Sequence, residues 1–155
     1  MGVNVSDVLI RVKEILNQPG VWIRWRVFDK GRAPAVNPQS WEERDSPYGG
    51  PQIYEYDGSQ KGQHCLLGAV IRAKHELGVD NNDTSASDLL GRLAPEVAAQ
   101  HGKPLDVGKR AQYRRNRQHN AAWFNNTAES MDEINDLLCE GIKEAVEQEE
   151  PGASK

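Results

Sequence analysis

The stretch GQHCLLGAVIRAKHELG, residues 62–78, constrains the fold of this chain more than any other part of its sequence. Gly78 closes it, and glycine is the residue that most readily adopts the left-handed conformation that ends a helix. The pattern predicts an amphipathic helix that begins near His64 and Cys65. Its apolar residues recur at the three- and four-residue spacing of one helix face: Leu66, Ala69, Val70, Ala73 and Leu77.

Three further segments have helical periodicity. Residues 6–17 predict a first helix with Ser6 as its N-cap, and residues from 128 to 148 predict a last helix whose acidic side chains face solvent. Between them, a helix that contains residues 89–98 also contains Pro95, which we expect to break or kink it.

Two segments favour strands instead of helices. Residues 21–28, VWIRWRVF, place Arg24 and Arg26 opposite apolar neighbours, which is typical of a half-buried strand. Residues 53–56, IYEY, predict a second strand, and we expect the two to pair as a small ribbon with helices packed on it. The long segment of residues 32–52, rich in proline and glycine, is predicted to be a loop.

The length and composition are those of one globular domain. The chain has 155 residues, of which 37% are hydrophobic and 27% are charged, and we expect a single domain over residues 1–150 with residues 151–155 as a frayed tail. The predicted fold class is α+β, mainly α: a compact domain of about four to five helices with a small two-stranded β-ribbon. Without an apolar run of membrane length or a signal peptide pattern, a soluble, cytoplasmic protein with no membrane contact is expected.

Cys65 raises the first functional hypothesis. A thiol at a helix N-terminus lies at the positive end of the helix dipole, which favours the nucleophilic thiolate. In a cysteine-dependent hydrolase or transferase, His119 would then act as the base and Asn125 as its orienting partner, with Asn120 and Asn126 as further choices. The opposing interpretation is that Cys65 is a small buried residue, and it favours a protein that is not an enzyme.

Metal and cofactor sites are not predicted. Both cysteines lie in apolar, helical surroundings that suit reduced thiols of a core. None of the spacings typical of a zinc site occurs among the four histidines: His64, His75, His101 and His119.

Charge is distributed unevenly along the chain. Residues 109–117 are strongly basic, whereas residues 129–150 hold nine acidic residues against Lys143. One hypothesis is a nucleic-acid-binding protein that uses the basic segment, and the alternative is that this segment packs against the acidic last helix or stays solvated. A helical conformation would align its side chains on one face: Arg110, Arg114 and Arg117, with Tyr113 beside them.

The order of short motifs in the chain is distinctive. Trp22 or Trp25 follows a Pro-Gly pair, Cys-x-x-Gly-Ala occupies residues 65–69, and Trp-Phe-Asn-Asn at residues 123–126 precedes the acidic helix. This order resembles a family of small uncharacterised proteins, a domain of unknown function, from actinobacteria and their phages. Where this chain has Trp-Phe-Asn-Asn, the family tends to have Trp-Asn-Asp. Because this chain lacks the acid, a catalytic carboxylate is not expected at this turn.

The resemblance implies a shared core without an activity to transfer. Gly68 costs a helix about 1 kcal/mol relative to alanine, so a packing reason for it is expected. We predict that Cys65, Gly68 and Ala69 form a seam that lets another element approach closely, and Trp123 and the last helix are the predicted neighbours.

Taken together, these patterns predict a small, soluble, non-enzymatic interaction protein, such as a phage or accessory protein that acts on a host protein partner. No cofactor is expected, and the oligomeric state is left open, with a dimer among the alternatives. The predicted partner-binding surface combines the first strand, the loop and the basic segment: Trp22, Arg24, Arg26, Trp41, Tyr48, Arg110, Tyr113, Arg114 and Arg117.

Overall fold

The computed structural model describes residues 2–24, 27–28, 56–58, 62–103 and 116–149, and of residues 116–119 it describes the backbone alone. The prediction of a mainly helical domain with four to five helices is confirmed for this part of the chain. Most of it is formed by five α-helices: α1 (Val5–Leu16), α2 (Leu66–Leu77), α3 (Ser85–Gln100), α4 (Asn116–Thr127) and α5 (Met131–Glu149).

The apolar stripes of the helices meet in a shared core. α1 packs against α2 and α5, and α3 lies against both α4 and α5. Full burial of one leucine or isoleucine side chain stabilises a fold by about 1.5–3 kcal/mol, so this core holds the helices together. The largest side chains at its centre are almost completely shielded from solvent: Leu9, Ile15, Leu66, Leu90, Ile134, Leu137 and Leu138.

The first helix begins earlier than its sequence pattern suggested. Asn4 is the N-cap, and its backbone N–H donates to the Asp7 carboxylate at 3.0 Å. Ser6, the predicted cap, lies inside α1 and is buried, where its backbone N–H and its hydroxyl both donate to the Glu149 carboxylate of α5. The hydroxyl of Ser6 therefore links the N-terminal end of α1 to the C-terminal end of α5 and does not cap its own helix.

α3 runs through Pro95 without a break, and the kink that was expected as the alternative stays a prediction. Proline has no N–H, and the carbonyl oxygen of Gly91, four residues earlier, lacks its usual helical donor for that reason. Asn120 of α4 supplies a substitute, because its Nδ2 donates to Gly91 O at 3.4 Å. A neighbouring helix thus compensates for the proline.

Described residues of the predicted first strand, Val21, Ile23 and Val27, pair with the residues that precede α2. His64 N donates to Val21 O at 2.8 Å, Ile23 N donates to His64 O at 3.0 Å, and Cys65 N donates to Val27 O at 3.1 Å. Among the described residues these contacts amount to isolated bridges of His64 with Trp22 and with Phe28. The predicted two-stranded ribbon is not shown, and residues 53–55 of its second strand lie outside the described residues.

Candidate functional site

Cys65 is the N-cap of α2, and its thiol is used to hold the helix start. Its backbone is extended, and Sγ accepts a hydrogen bond from Gly68 N at 3.4 Å. The residue is 0% exposed, and it is not in a disulfide. A nucleophile must meet its substrate, so this burial favours the structural interpretation of Cys65 over the catalytic one.

Gly68 explains why a second chain segment comes so close to the start of α2. A Cβ built on Gly68 would lie 2.1 Å from Val27 O and 3.2 Å from Cε1 of Phe28. The close approach that the Cys65–Gly68–Ala69 seam predicted is therefore present at Gly68. The expected neighbours, Trp123 and the last helix, were wrong for this position, since the backbone of Val27 occupies it.

Asn125 of α4 connects three elements through one side-chain amide. Its Oδ1 accepts from Leu66 N at 3.0 Å and from the indole Nε1 of Trp22 at 2.7 Å. Its Nδ2 donates to Ile23 O at 3.0 Å and to Oδ1 of Asn126 at 3.4 Å. Leu66 N is one of the amides that a helix start leaves without a helical acceptor, so Asn125 completes the capping that Cys65 begins. With 0% exposure, this asparagine has its full set of donors and acceptors in use.

His64 lies beside Cys65 in sequence but belongs to a different set of contacts. The residue is buried, and its ring packs edge-on against Phe28, with 5.2 Å between ring centroids. Nη1 of Arg72 lies 3.1 Å from Nε2 of His64. A guanidinium can only donate, so Nε2 accepts and His64 is a neutral imidazole with its proton on Nδ1. The imidazole therefore serves the packing around α2.

The ion pairs that begin at Arg72 tie α2 to α1. Arg72 donates to Glu76 at 2.9 Å, and Arg11 of α1 donates to the other oxygen of the same carboxylate at 2.7 Å. Burial acts to raise the pKa of Glu76, and the hydrogen bonds from the two arginines outweigh it, so that this pKa lies below its ordinary value. Glu76 therefore stays ionised at neutral pH as part of a structural bridge.

The predicted catalytic set is only partly placed by these contacts. Cys65 is buried, and the amide of Asn125 is committed to the bonds that join α4 to α2 and to Trp22. His119 lies in α4, and its side chain is outside the described residues. A contact between Cys65 and His119 stays a prediction.

Two residues of the predicted partner-binding surface are described, and they lie together. The guanidinium of Arg24 lies 5.9 Å from the ring centroid of Trp22, and its Nη1 donates to Ala128 O at 3.1 Å. Arg24 is exposed and Trp22 is half-buried. Of the remaining predicted residues, Arg117 is described only in its backbone, and the others lie outside the described residues: Arg26, Trp41, Tyr48, Arg110, Tyr113 and Arg114.

Acidic residues at the start of α5 are paired with cations from other elements. Lys103 donates to Glu133 at 2.9 Å and lies 3.2 Å from Glu129. The hydrogen bond to Glu133 raises the pKa of Lys103. Farther along the helix pair, Arg92 of α3 contacts Glu144. The predicted packing of the basic segment 109–117 against this helix stays a prediction, because the side chains of that segment lie outside the described residues.

A groove that the sequence patterns did not reveal lies along the second half of α2. It has a volume of about 550 Å³. A second hollow of about 210 Å³ adjoins it and shares two lining residues, Ile71 and Asn81. The polar loop that forms one wall was visible in the sequence, but its course over α2 was not. The described residues that line the larger groove are Tyr56, Ile71, His75, Gly78, Val79, Asp80 and Asn81.

Neither a metal-binding cluster nor a membrane-spanning helix occurs among the described residues. Within the described ranges, no three histidine, cysteine, aspartate or glutamate side chains are grouped so that they could hold a metal ion. Nor does any helix in this part of the chain have the length and apolar character that are needed to cross a membrane.

Comparison with known proteins gives a family and no activity. No curated protein and no solved structure matched the chain. A family model described as a family of unknown function, DUF6197, matches residues 1–144. The resemblance to a domain of unknown function is thus confirmed, while the actinobacterial or phage origin stays a prediction. Because the match covers almost the whole sequence, this chain belongs to the DUF6197 family.

Proposed function

We propose that this protein is a non-enzymatic interaction protein that acts by binding another protein. The observation that carries the proposal is the role of Cys65, whose thiol is buried and caps α2. Asn125, the other described member of the catalytic hypothesis, has its amide committed to Leu66 and Trp22. Both described members of the catalytic hypothesis therefore support the fold, which favours the surface as the source of function.

The surface that we propose for the partner is centred on Arg24 and Trp22. The cation lies over the indole ring, and its hydrogen bond to Ala128 O fixes where the exposed guanidinium points. Tryptophan and arginine are the residue types most enriched at the energetic centres of protein interfaces. We extend this surface to residues of the sequence that share its chemistry, namely Arg26, Trp41, Tyr48 and the basic stripe of residues 110–117.

The setting follows from the same proposal. An actinobacterial or phage accessory protein that works in the cytoplasm on a host protein would need a stable scaffold and an exposed recognition surface. The helical core provides the scaffold, and the polar and aromatic residues at the start of α2 hold the Trp22 segment against it. Its partner is a protein in this proposal, and a nucleic acid is the outcome that the experiment must separate from it.

Affinity capture with matched surface variants tests the proposal. Wild type, Arg24→Glu and Lys143→Glu serve as baits in lysate of the source organism, with and without nuclease treatment. Lys143 is an exposed lysine of α5, so its replacement changes the net charge equally at a different place. We expect a specific protein that wild type and Lys143→Glu retain and that Arg24→Glu retains about tenfold less, as for the loss of an interface arginine.

Three results would contradict the proposal. One is that no protein distinguishes Arg24→Glu from wild type, once thermal unfolding shows that both variants are folded. The second is a bound fraction that disappears with nuclease treatment and falls steeply with salt, which indicates nucleic acid. The third is turnover of an ester or amide substrate that a Cys65→Ala variant loses, which indicates a cysteine-dependent enzyme.

A further inference from the structure

The groove along the second half of α2 combines an aromatic wall, an apolar floor and an acidic rim. His75 packs against Tyr56 with 5.2 Å between ring centroids, and both rings line the groove. Ile71 and Val79 are half-buried, and the Asp80 carboxylate is exposed at the edge. This groove lies along the second half of α2, so it is separate from the contacts of Trp22 and Asn125 at the start of the helix.

The loop that forms the groove wall is held in place before any ligand arrives. Lys74 is buried, and its Nζ donates to Asn81 O and to Asp83 O, each at 3.0 Å. Val79 N donates to Lys74 O at 2.8 Å, and Gly78 ends α2 in the left-handed conformation. A site that is already ordered loses little conformational entropy on binding, which favours affinity.

The charge at the groove points to a cationic ligand. The ammonium group of Lys74 is turned to the backbone carbonyl groups of the loop. Asp80 is the acidic residue among the described lining residues, and Asp83 lies on the same loop. The guanidinium of Arg72 lies 5.9 Å from the Tyr56 ring centroid and is paired with the Glu76 carboxylate, so the exposed rim is acidic. Such a site repels phosphates and attracts a guanidinium, which also stacks well on aromatic rings because it is planar and weakly hydrated.

We propose that this groove binds a short basic segment of a partner protein, with one arginine side chain between the Tyr56–His75 pair and the Asp80 carboxylate. An apolar neighbour of that arginine covers Ile71, which the larger groove shares with the smaller hollow. The volume of about 550 Å³ suits a segment of a few residues. The inference goes beyond the proposed function, because it assigns a second surface and the chemistry of its ligand.

Titration with defined peptides tests the groove directly. The probe is the tripeptide acetyl-Leu-Arg-Leu-amide, and its comparison is the same peptide with citrulline, which has nearly the shape of arginine without its charge. Binding to the full chain is followed by amide chemical shifts. We expect saturable shifts confined to Tyr56, α2 and residues 78–84 with a dissociation constant of about 1 mM, and about fivefold weaker binding of the citrulline peptide.

Variants separate the groove from a general attraction of charge. In Asp80→Asn, the side-chain oxygen can still accept the 2.8 Å hydrogen bond from Asn82 N, so the turn is kept while the charge is removed. This variant should bind the two peptides equally, and His75→Ala should bind both more weakly. Asp132→Asn, which removes an exposed carboxylate from α5, should behave as wild type.

Equal affinity of wild type for the two peptides would overturn the proposal, as would shifts that map outside Tyr56, α2 and residues 78–84. The absence of binding at about 10 mM peptide would overturn it too. These outcomes are independent of the capture experiment, because Arg24 does not line the groove. A protein partner that depends on Arg24 can therefore be found even if the groove binds no peptide.

Discussion

At the scale of single residues, two glycines inside helices have neighbours of different kinds. A Cβ on Gly68 would meet the backbone oxygen of Val27, which is fixed by its hydrogen bond from Cys65 N. A Cβ on Gly141 would meet only the ends of two leucine side chains, Leu9 and Leu90, each at 3.1 Å. A methyl group of leucine can move by a few tenths of an ångström at little cost, whereas a hydrogen-bonded carbonyl group cannot.

We therefore predict opposite tolerance at these two positions. Gly68→Ala should lower the free energy of unfolding by about 3 kcal/mol, because the segment of residues 27–28 must leave α2. Gly141→Ala should change it by less than about 1 kcal/mol, since the gain in helix propensity offsets the crowding. Urea unfolding with comparison of midpoints and slopes measures both. Equal destabilisation by the two substitutions would contradict the close approach at Gly68.

Asn125 shows why part of the candidate site was not predictable from the sequence. Its type and place suggested an orienting residue for a histidine, and the sequence offered no indication that its amide would reach Leu66 and Trp22. These bonds join residues about 60 and 100 positions apart. Local spacing has no bearing on which distant backbone amide lies opposite a given side chain.

At the scale of elements, Lys74 links α2 to the loop that follows it. Burial lowers the pKa of Lys74, and the carboxylates of Asp83 and Asp80 oppose this shift only in part. The folded state therefore releases the lysine proton at a lower pH than the unfolded chain does. Between those two pKa values the unfolded chain binds more protons, so the contribution of Lys74 to stability rises as the pH increases through the folded pKa toward 10.5.

Replacement of Lys74 by methionine tests this link in two ways. We predict that Lys74→Met lowers the free energy of unfolding by about 1–2 kcal/mol, because two loop carbonyl groups lose their donor. The difference between the free energies of unfolding of wild type and this variant should widen as the pH increases toward 10.5. Urea unfolding at several pH values provides the measurement, and Lys143→Met is the control for the loss of one lysine. A difference that narrows with increasing pH would contradict the burial of the ammonium group.

The helices were the elements that the sequence predicted best, because a period of 3.6 residues is a local property of each segment. Boundaries and pairings were predicted less well. The cap of α1 moved to Asn4 because Ser6 bonds to Glu149, and α3 continued past Pro95 because Asn120 supplies the missing donor. Trp22 and Phe28 pair with His64. Each of these outcomes depends on a contact between segments that are distant in sequence.

At the scale of the whole molecule, the chain joins its first and last helices in one core. α1 and α5 pack together, and the hydroxyl of Ser6 donates to the carboxylate of Glu149 across their ends. The described polar groups inside this core, including His64, Cys65 and Asn125, hold segments in place. We propose that recognition takes place at the surface of this core, at Arg24 and at the groove beside Asp80.

We propose that Cys65 is a structural cap in a binding protein, and the reactivity of its thiol in the folded state tests this role directly. In a Cys139→Ser variant, Cys65 is the single thiol, and its alkylation by iodoacetamide can be followed by mass spectrometry. We predict that native protein is protected between about pH 6 and pH 8, and that labelling increases only along the urea unfolding transition. Rapid labelling of the native protein near neutral pH, with the profile of a thiolate, would contradict the account.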